Sequence, residues 1–322
     1  MRARNSITMS FLRVLAFMAT ALAVSAQPYG YVSNMMQNTV SVVNRANNTI
    51  SASIPLSGAG LSGMAITPNG SYLYVAEQSK NSVAVISTAS NSVVATVPVG
   101  TGPVHVAITP NGATAYVTNE SANTVSAINT ATNAVLATIP VGSKPVGVAV
   151  TLDGSQVLVS NLLSATISVI STSSNSVIAT WTTLSGPNGI AMSPNGSVAY
   201  VADQYANSVT FHSLANGAIL NTITGFAAPN SVAVTPNGSY LYVTNGNSSS
   251  VAVVNTSTAQ IAVPKIGVGL LPTSVAVSAD GSTAYVTNGY GYSLSEINTA
   301  TNAVTSTLLH VGIYPFAMAL YH

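Results

Sequence analysis

The chain contains no cysteine and very little charge. Lys, Arg, Asp and Glu make up 4% of its 322 residues, against ~25% in an ordinary soluble domain. Without cysteine there is no disulfide framework, thiolate-held metal, c-type haem attachment or lipoprotein acylation. Without a basic stripe nothing neutralises phosphates, which excludes nucleic acid as a partner, and no run of like charge forms a tail. The four histidines, His105, His212, His310 and His322, show no HExxH spacing, which excludes a multi-histidine copper site. No glycine-rich phosphate loop opens a helix, and no Gly-x-Ser-x-Gly elbow occurs. The sequence is instead 48% hydrophobic, with Ser, Thr and Asn between short apolar runs.

Residues 1–26 read as a secretory signal peptide. Arg2, Arg4 and Arg13 form a basic leader, Val14 to Val24 is an apolar stretch of 11 residues, and Val24-Ser25-Ala26 supplies small residues before a cut. Eleven residues fall short of the ~20 needed to span a bilayer. Cleavage after Ala26 leaves residues 27–322 as the mature domain, with no transmembrane segment. Arg45, Lys80, Lys144 and Lys265 then face six acids, a net charge of −2. The expectation is an exported protein of the periplasm, the medium or the cell surface, monomeric, with an unknown protein or cell-envelope ligand as partner.

One period organises the rest. Tyr31-Val32-Ser33-Asn34 recurs with its tyrosine position at Tyr74, Tyr116, Leu158, Tyr200, Tyr242 and Tyr285, at spacings of 42 or 43 residues. Each copy after the first is preceded by an apolar run and an Asn-Gly or Asp-Gly turn (Asn69, Asn111, Asn195, Asn237, Asp153 and Asp280 before glycine). It is followed by an alternating segment such as Thr124 to Asn129 and a fourth segment such as Ala134 to Val141. Asn-Gly between apolar runs marks a hairpin, with both residues expected at positive φ. Four strands per ~42 residues, seven times over, predict an all-β, seven-bladed β-propeller of four-stranded antiparallel blades. The mature chain begins at a second strand and ends in a first strand, Pro315 to Tyr321. Pairing these two pieces closes the ring and removes two exposed edges.

Side-chain size agrees. Ala65, Ala107, Ala149, Ala191, Ala233, Ala276 and Ala319 form one column, and two residues earlier stand Gly63, Gly147, Gly189, Ser231, Ser274 and Ala317, with His105 as the exception. Blades converge on the axis, so only small groups fit there. The Tyr-Val-Thr-Asn tetrads, the Pro-Asn-Gly turns and the Asn129 to Asn133 and Asn298 to Asn302 segments resemble the YVTN family of β-propeller repeats over residues 27–322. Similar repeats occur in archaeal surface-layer proteins and exported bacterial propellers, in the propeller domain of nitrous oxide reductase and in lactonase-type propellers. The resemblance implies the fold; no activity follows from the repeat itself.

In a propeller, second strands end and first strands begin on one side. That face is expected to carry Glu77, Lys80, Glu120, Lys144 and Asp203 with Tyr205, Tyr290 and Tyr292, and to bind any ligand. His105, Glu77 and Glu120 fall near one another and could form a divalent-cation site or an acid–base pair, or else be a channel-mouth histidine with two solvated glutamates. Glu296 interrupts an apolar column and is expected to reach solvent. His212 reads as a satisfied core histidine, His310 as exposed, Trp181 as outer-edge packing, and the tetrad asparagines as strand-end caps bonded to backbone. Unit lengths vary by one residue and no blade carries an insertion. The reading is therefore an exported, non-catalytic binding or scaffold protein without cofactors. The alternative is a channel-mouth hydrolase or lyase, lactonase-like or metal-assisted; a phosphosugar substrate is disfavoured, because the sole mature arginine, Arg45, falls on the far face.

Overall fold

A computed structural model describes residues 29–321; the expected leader and His322 lie outside them. Seven four-stranded antiparallel sheets form a ring of blades. Blade 1 is built from Pro315–Leu320, Tyr29–Asn34, Thr39–Asn44 and Thr49–Pro55, in that order from the axis outward. Blades 2 to 7 follow over residues 61–98, 103–140, 145–182, 187–224, 229–267 and 272–309. The ring closes as the composite repeat requires: Gly30 pairs with Leu320, Tyr31 with Ala319 and Val32 with Met318. Single 3-10 turns at Gln78–Lys80 and Gly246–Ser248 are the only helical segments among the described residues. None is long and apolar enough to cross a membrane.

The core lies between blades rather than at the centre. Alternation sends successive side chains of a strand to opposite faces, and here each face meets a neighbouring blade. In the third strand of blade 2, Ala84 and Ile86 pack toward blade 1 with Tyr31 and Val42. Val83 and Val85 pack toward blade 3 with Val106 and Val117. Each of the seven junctions holds one such apolar cluster. A buried Val, Leu or Ile contributes ~1.5–3 kcal/mol, so a sequence apolar on both sides of its strands stabilises a closed ring and would be exposed in an isolated blade.

Close approach at the axis explains the small column. A Cβ on Gly147 would stand 2.1 Å from the Asn188 carbonyl oxygen, and one on Gly63 2.7 Å from His105 Nδ1. Hydroxyls of the tetrads then stitch one blade to the next: Ser33 donates to the Ser62 carbonyl (2.6 Å) and Thr118 to that of Val146 (2.7 Å).

The first-to-second-strand turns differ from the expectation. Only the glycine has positive φ, as at Gly70 (+72°). The Gly70 amide donates to the Thr67 carbonyl, while Asn69 Oδ1 accepts from the Thr67 hydroxyl and the Ser71 amide. The asparagine is used for its side-chain acceptor, leaving the left-handed residue to glycine, a longer hairpin form than the two-residue turn. Left-handed asparagines sit instead at other turns, among them Asn91, Asn133, Asn175 and Asn302.

Candidate functional site at the channel mouth

Every inner strand of blades 2 to 7 loses register at its start. In blade 3, Pro103 pairs with Asn119 and the next regular pair is Val106 with Val117, so Val104 and His105 bulge from the ladder. The same shift recurs at Leu61/Met64, Pro145/Val148, Pro187/Ile190, Pro229/Val232 and Pro272/Ser274. A bulge re-aims side chains, and here the bulged residues surround the channel entrance, where they line a cavity of about 340 Å³.

The lining is two-sided. Val104 and Val146 cluster with Leu162 and Phe316 on one arc. Blades 5, 6 and 7 present Asn188, Asn230 and Thr273 on the other. Between them runs a chain of amide bonds in one direction. Asn188 Nδ2 donates to Gln204 Oε1 (3.3 Å), Gln204 Nε2 to Asn230 Oδ1 (2.8 Å), and Asn230 Nδ2 to the Pro272 carbonyl (3.3 Å). Gln78 Nε2 donates to Glu120 Oε2 (3.2 Å), and Glu120 Oε1 pairs with Lys144 Nζ at 3.0 Å. The one acid in the lining is thus neutralised.

His105 and Glu120 line this cavity together. The His105 ring lies 5.6 Å from that of Phe316, its backbone amide donates to Thr118 Oγ1, and desolvation lowers its pKa to about 4. It is a neutral imidazole at ordinary pH. Glu77 does not join them. It is buried, with Oε1 accepting from the Gly58 amide (3.2 Å) and Oε2 from the Ser82 hydroxyl (2.8 Å). Among the described residues no three His, Cys, Asp or Glu side chains gather as a metal site would need.

Asp203 is likewise buried beneath the surface, holding Thr183 (3.0 Å) and Thr210 (2.6 Å) through their hydroxyls; burial raises its pKa to about 6. Tyr205, Tyr290 and Tyr292 are exposed on the rim and outside the cavity, with Tyr290 edge-on to Tyr314, which does line it.

Glu77 and Asp203 take the tetrad position where Asn34, Asn119, Asn161 and Asn288 stand in other blades. Those four asparagines donate Nδ2 to third-strand hydroxyls, Thr39 and Ser41 in blade 1, rather than to backbone. Asn245, at the same position of blade 6, makes the expected backbone bond, its Oδ1 accepting from the Ala227 amide (3.1 Å). The position ties second strand to third, and acids serve it in blades 2 and 5.

Glu296 also departs from expectation. It is half-buried beside Arg45 of blade 1, and burial raises its pKa against that opposing charge. His212 is buried, with Nδ1 on the Gly217 carbonyl and Nε2 near the Thr183 and Thr210 hydroxyls; Trp181 stacks on its ring at 6.3 Å, and His310 is exposed.

A seven-bladed ring with a lined axial mouth defines the class of the protein. Residues 87–267, more than half of the chain, match the family described as lactonase, 7-bladed beta-propeller, and the chain belongs to that family. No curated protein matches it. Among solved structures it is similar to Kuenenia stuttgartiensis hydrazine synthase, at 20% identity over 88% of this chain and 99% of that one, with a TM-score of 0.77. A functionally unknown protein from Desulfotomaculum acetoxidans gives 20% identity, 91% and 99% coverage and a TM-score of 0.80. A putative 6-phosphogluconolactonase from Bacteroides uniformis gives 18%, 91% and 99%, and 0.74. At these identities the likeness concerns the fold.

Proposed function

We propose that the chain is an exported propeller of the YVTN repeat type whose channel mouth binds an uncharged, amphipathic small molecule without transforming it. The amide chain Asn188–Gln204–Asn230 carries this reading. It offers donors and acceptors along one wall, opposite an apolar wall of Val104, Val146, Leu162 and Phe316. Such a site suits a ring with one polar edge, such as a lactone, lactam or cyclic ether. A phosphorylated ligand is disfavoured, because among the described residues no Lys or Arg lines the cavity and Lys144 pairs with the lining Glu120, whereas phosphate recognition relies on free cationic forks.

Membership of the lactonase family favours a second reading, hydrolysis of a neutral lactone with His105 as general base. A pKa near 4 leaves that imidazole unprotonated but weak as a base at neutral pH. Calorimetric titration with neutral γ- and δ-lactones, beside base-uptake assays of their hydrolysis, separates the readings. The binding reading expects saturable binding that weakens at least tenfold in Gln204→Ala, with no turnover. Turnover abolished in His105→Ala would replace it with the hydrolase.

A further inference from the structure

On the face opposite the channel mouth, the turns joining first and second strands form a ring of contacts. The turn glycine of one blade lies against the turn proline of the blade before it. A Cβ on Gly112 would stand 3.4 Å from Pro68, and one on Gly281 3.2 Å from Pro236. Blade 1 has no such turn, because its inner strand ends the described chain and its second strand begins it. Tyr321 occupies the gap and lies against Gly70, where a Cβ would meet its ring at 2.6 Å. What remains open between blades 1 and 2 is a cleft of about 1200 Å³.

The walls of this cleft are unlike the rest of that face. Tyr29, Tyr72 and Tyr321 line it beside the buried Tyr31, with Tyr72 40% exposed. Asn69, Asn91 and Thr88 supply amide and hydroxyl groups, and no charged residue contributes to the lining. The turn ring is also interrupted between blades 4 and 5, where nothing stands within 4 Å of a Cβ on Gly196, but the cleft there has no aromatic residue. Tyrosine combines a flat apolar face with a polar edge and has little side-chain freedom to lose on binding. A concave site of aromatic faces with a few convergent polar groups is how proteins hold small molecules. Flat rings beside amides and hydroxyls, without charge, match the CH faces and hydroxyl edges of a pyranose.

We propose that this cleft is a binding site for an uncharged oligosaccharide, independent of the channel mouth. The sugar stacks on Tyr72, with Tyr29 and Tyr321 flanking, and its hydroxyls bond to Asn69, Asn91 and Thr88. The test is titration of the full chain with neutral hexasaccharides of gluco, manno, xylo and N-acetylgluco configuration, followed by calorimetry and saturation-transfer NMR. At least one series is expected to bind with a dissociation constant below 1 mM. Tyr72→Ala should weaken it at least tenfold, Tyr72→Phe should retain it, and Gln204→Ala at the mouth should leave it unchanged. Tyr72 is surface-exposed, so folding of its variants is checked by unchanged thermal unfolding. Failure of all four series to bind at 10 mM, or equal binding by Tyr72→Ala, overturns the proposal. Loss of binding in Gln204→Ala instead would place the sugar at the mouth and overturn it too.

Discussion

Tyr116 donates its phenolic proton to Oδ1 of Asn175 across 2.7 Å, from the second strand of blade 3 to an outer turn of blade 4. Asn175 meets it from the left-handed region, at φ 49°. The same bond joins Tyr74 to Asn133 (2.8 Å), Tyr242 to Asn302 (2.7 Å) and, more loosely, Tyr31 to Asn91 (3.2 Å). Blade 4 has Leu158 in place of the tyrosine and faces Gly217 in place of the asparagine, so both partners are missing together. Removing one partner of a half-buried pair costs ~1 kcal/mol. Tyr116→Phe is expected to lower stability by about that much in denaturant unfolding, with the far-ultraviolet spectrum unchanged.

The convergence of the blades makes a stronger demand. Gly147→Ala would drive a methyl group to 2.1 Å from a neighbouring backbone oxygen, and overpacking of this kind costs ~1–3 kcal/mol or more. Gly196→Ala meets nothing within 4 Å and bears only the strain of its φ of +68°, ~1–2 kcal/mol. Thermal unfolding of the two variants should place Gly147→Ala clearly below Gly196→Ala; the reverse order would refute the close-approach account.

Asp203 gives the fold a pH dependence of defined sign. Burial places its folded-state pKa at about 6, above the ordinary 3.8. The folded protein therefore binds more protons than the unfolded chain between these values, and this group removes stability as pH rises from 4 through 6. Asp203→Asn installs the side chain that five other blades use. It should be more stable than wild type at pH 7 by roughly 2–3 kcal/mol, an advantage that disappears below pH 4. His212, whose pKa burial lowers, contributes with the opposite sign but is present in both proteins. Denaturant titrations at pH 4, 5.5 and 7 measure the difference directly.

Arg45 and Glu296 meet at the junction of blades 1 and 7, beside Tyr285. Removing one partner leaves a half-buried charge without its counterpart, whereas replacing both by apolar groups is often neutral. Arg45→Met is expected to cost about 1–2 kcal/mol, and adding Glu296→Val, the residue of that column in most blades, should recover most of it. A double-mutant cycle in urea tests the coupling; additive losses would show the two side chains to be independent.

Whatever repeats was legible in the sequence. Strand Thr124–Asn129 lies where its alternation placed it, and Val135–Pro140 falls one residue inside its expected bounds at each end. The ring closes through Pro315–Leu320 because complementary fractions of one repeat can be recognised by counting. The site was legible only in part. His105 stood out as a large residue in a small column, and it does reach the mouth with Glu120. Glu77 and Asp203 looked like surface acids because they end a strand, yet their side chains turn inward, Glu77 to the Gly58 amide and Asp203 to the Thr210 hydroxyl, partners that only the folded chain brings near. The amides Asn188, Gln204, Asn230 and Gln78 were overlooked. Their signal was polarity at a bulge position that holds Val104 and Val146 elsewhere, and at the position after the tetrad that Glu120 shares. Reading it required knowing that the ladder slips there, which no residue spacing announces.

The pairing of Pro315–Leu320 with Tyr29–Asn34 also sets a clock. Blade 1 remains a three-stranded fragment until Pro315–Leu320 joins it, and the junction with blade 7 lacks Met318 and Leu320 until then. A ring whose clasp is held by two strands about 290 residues apart cannot be locked by any local stretch of the chain, so its last cooperative step joins what synthesis kept furthest apart.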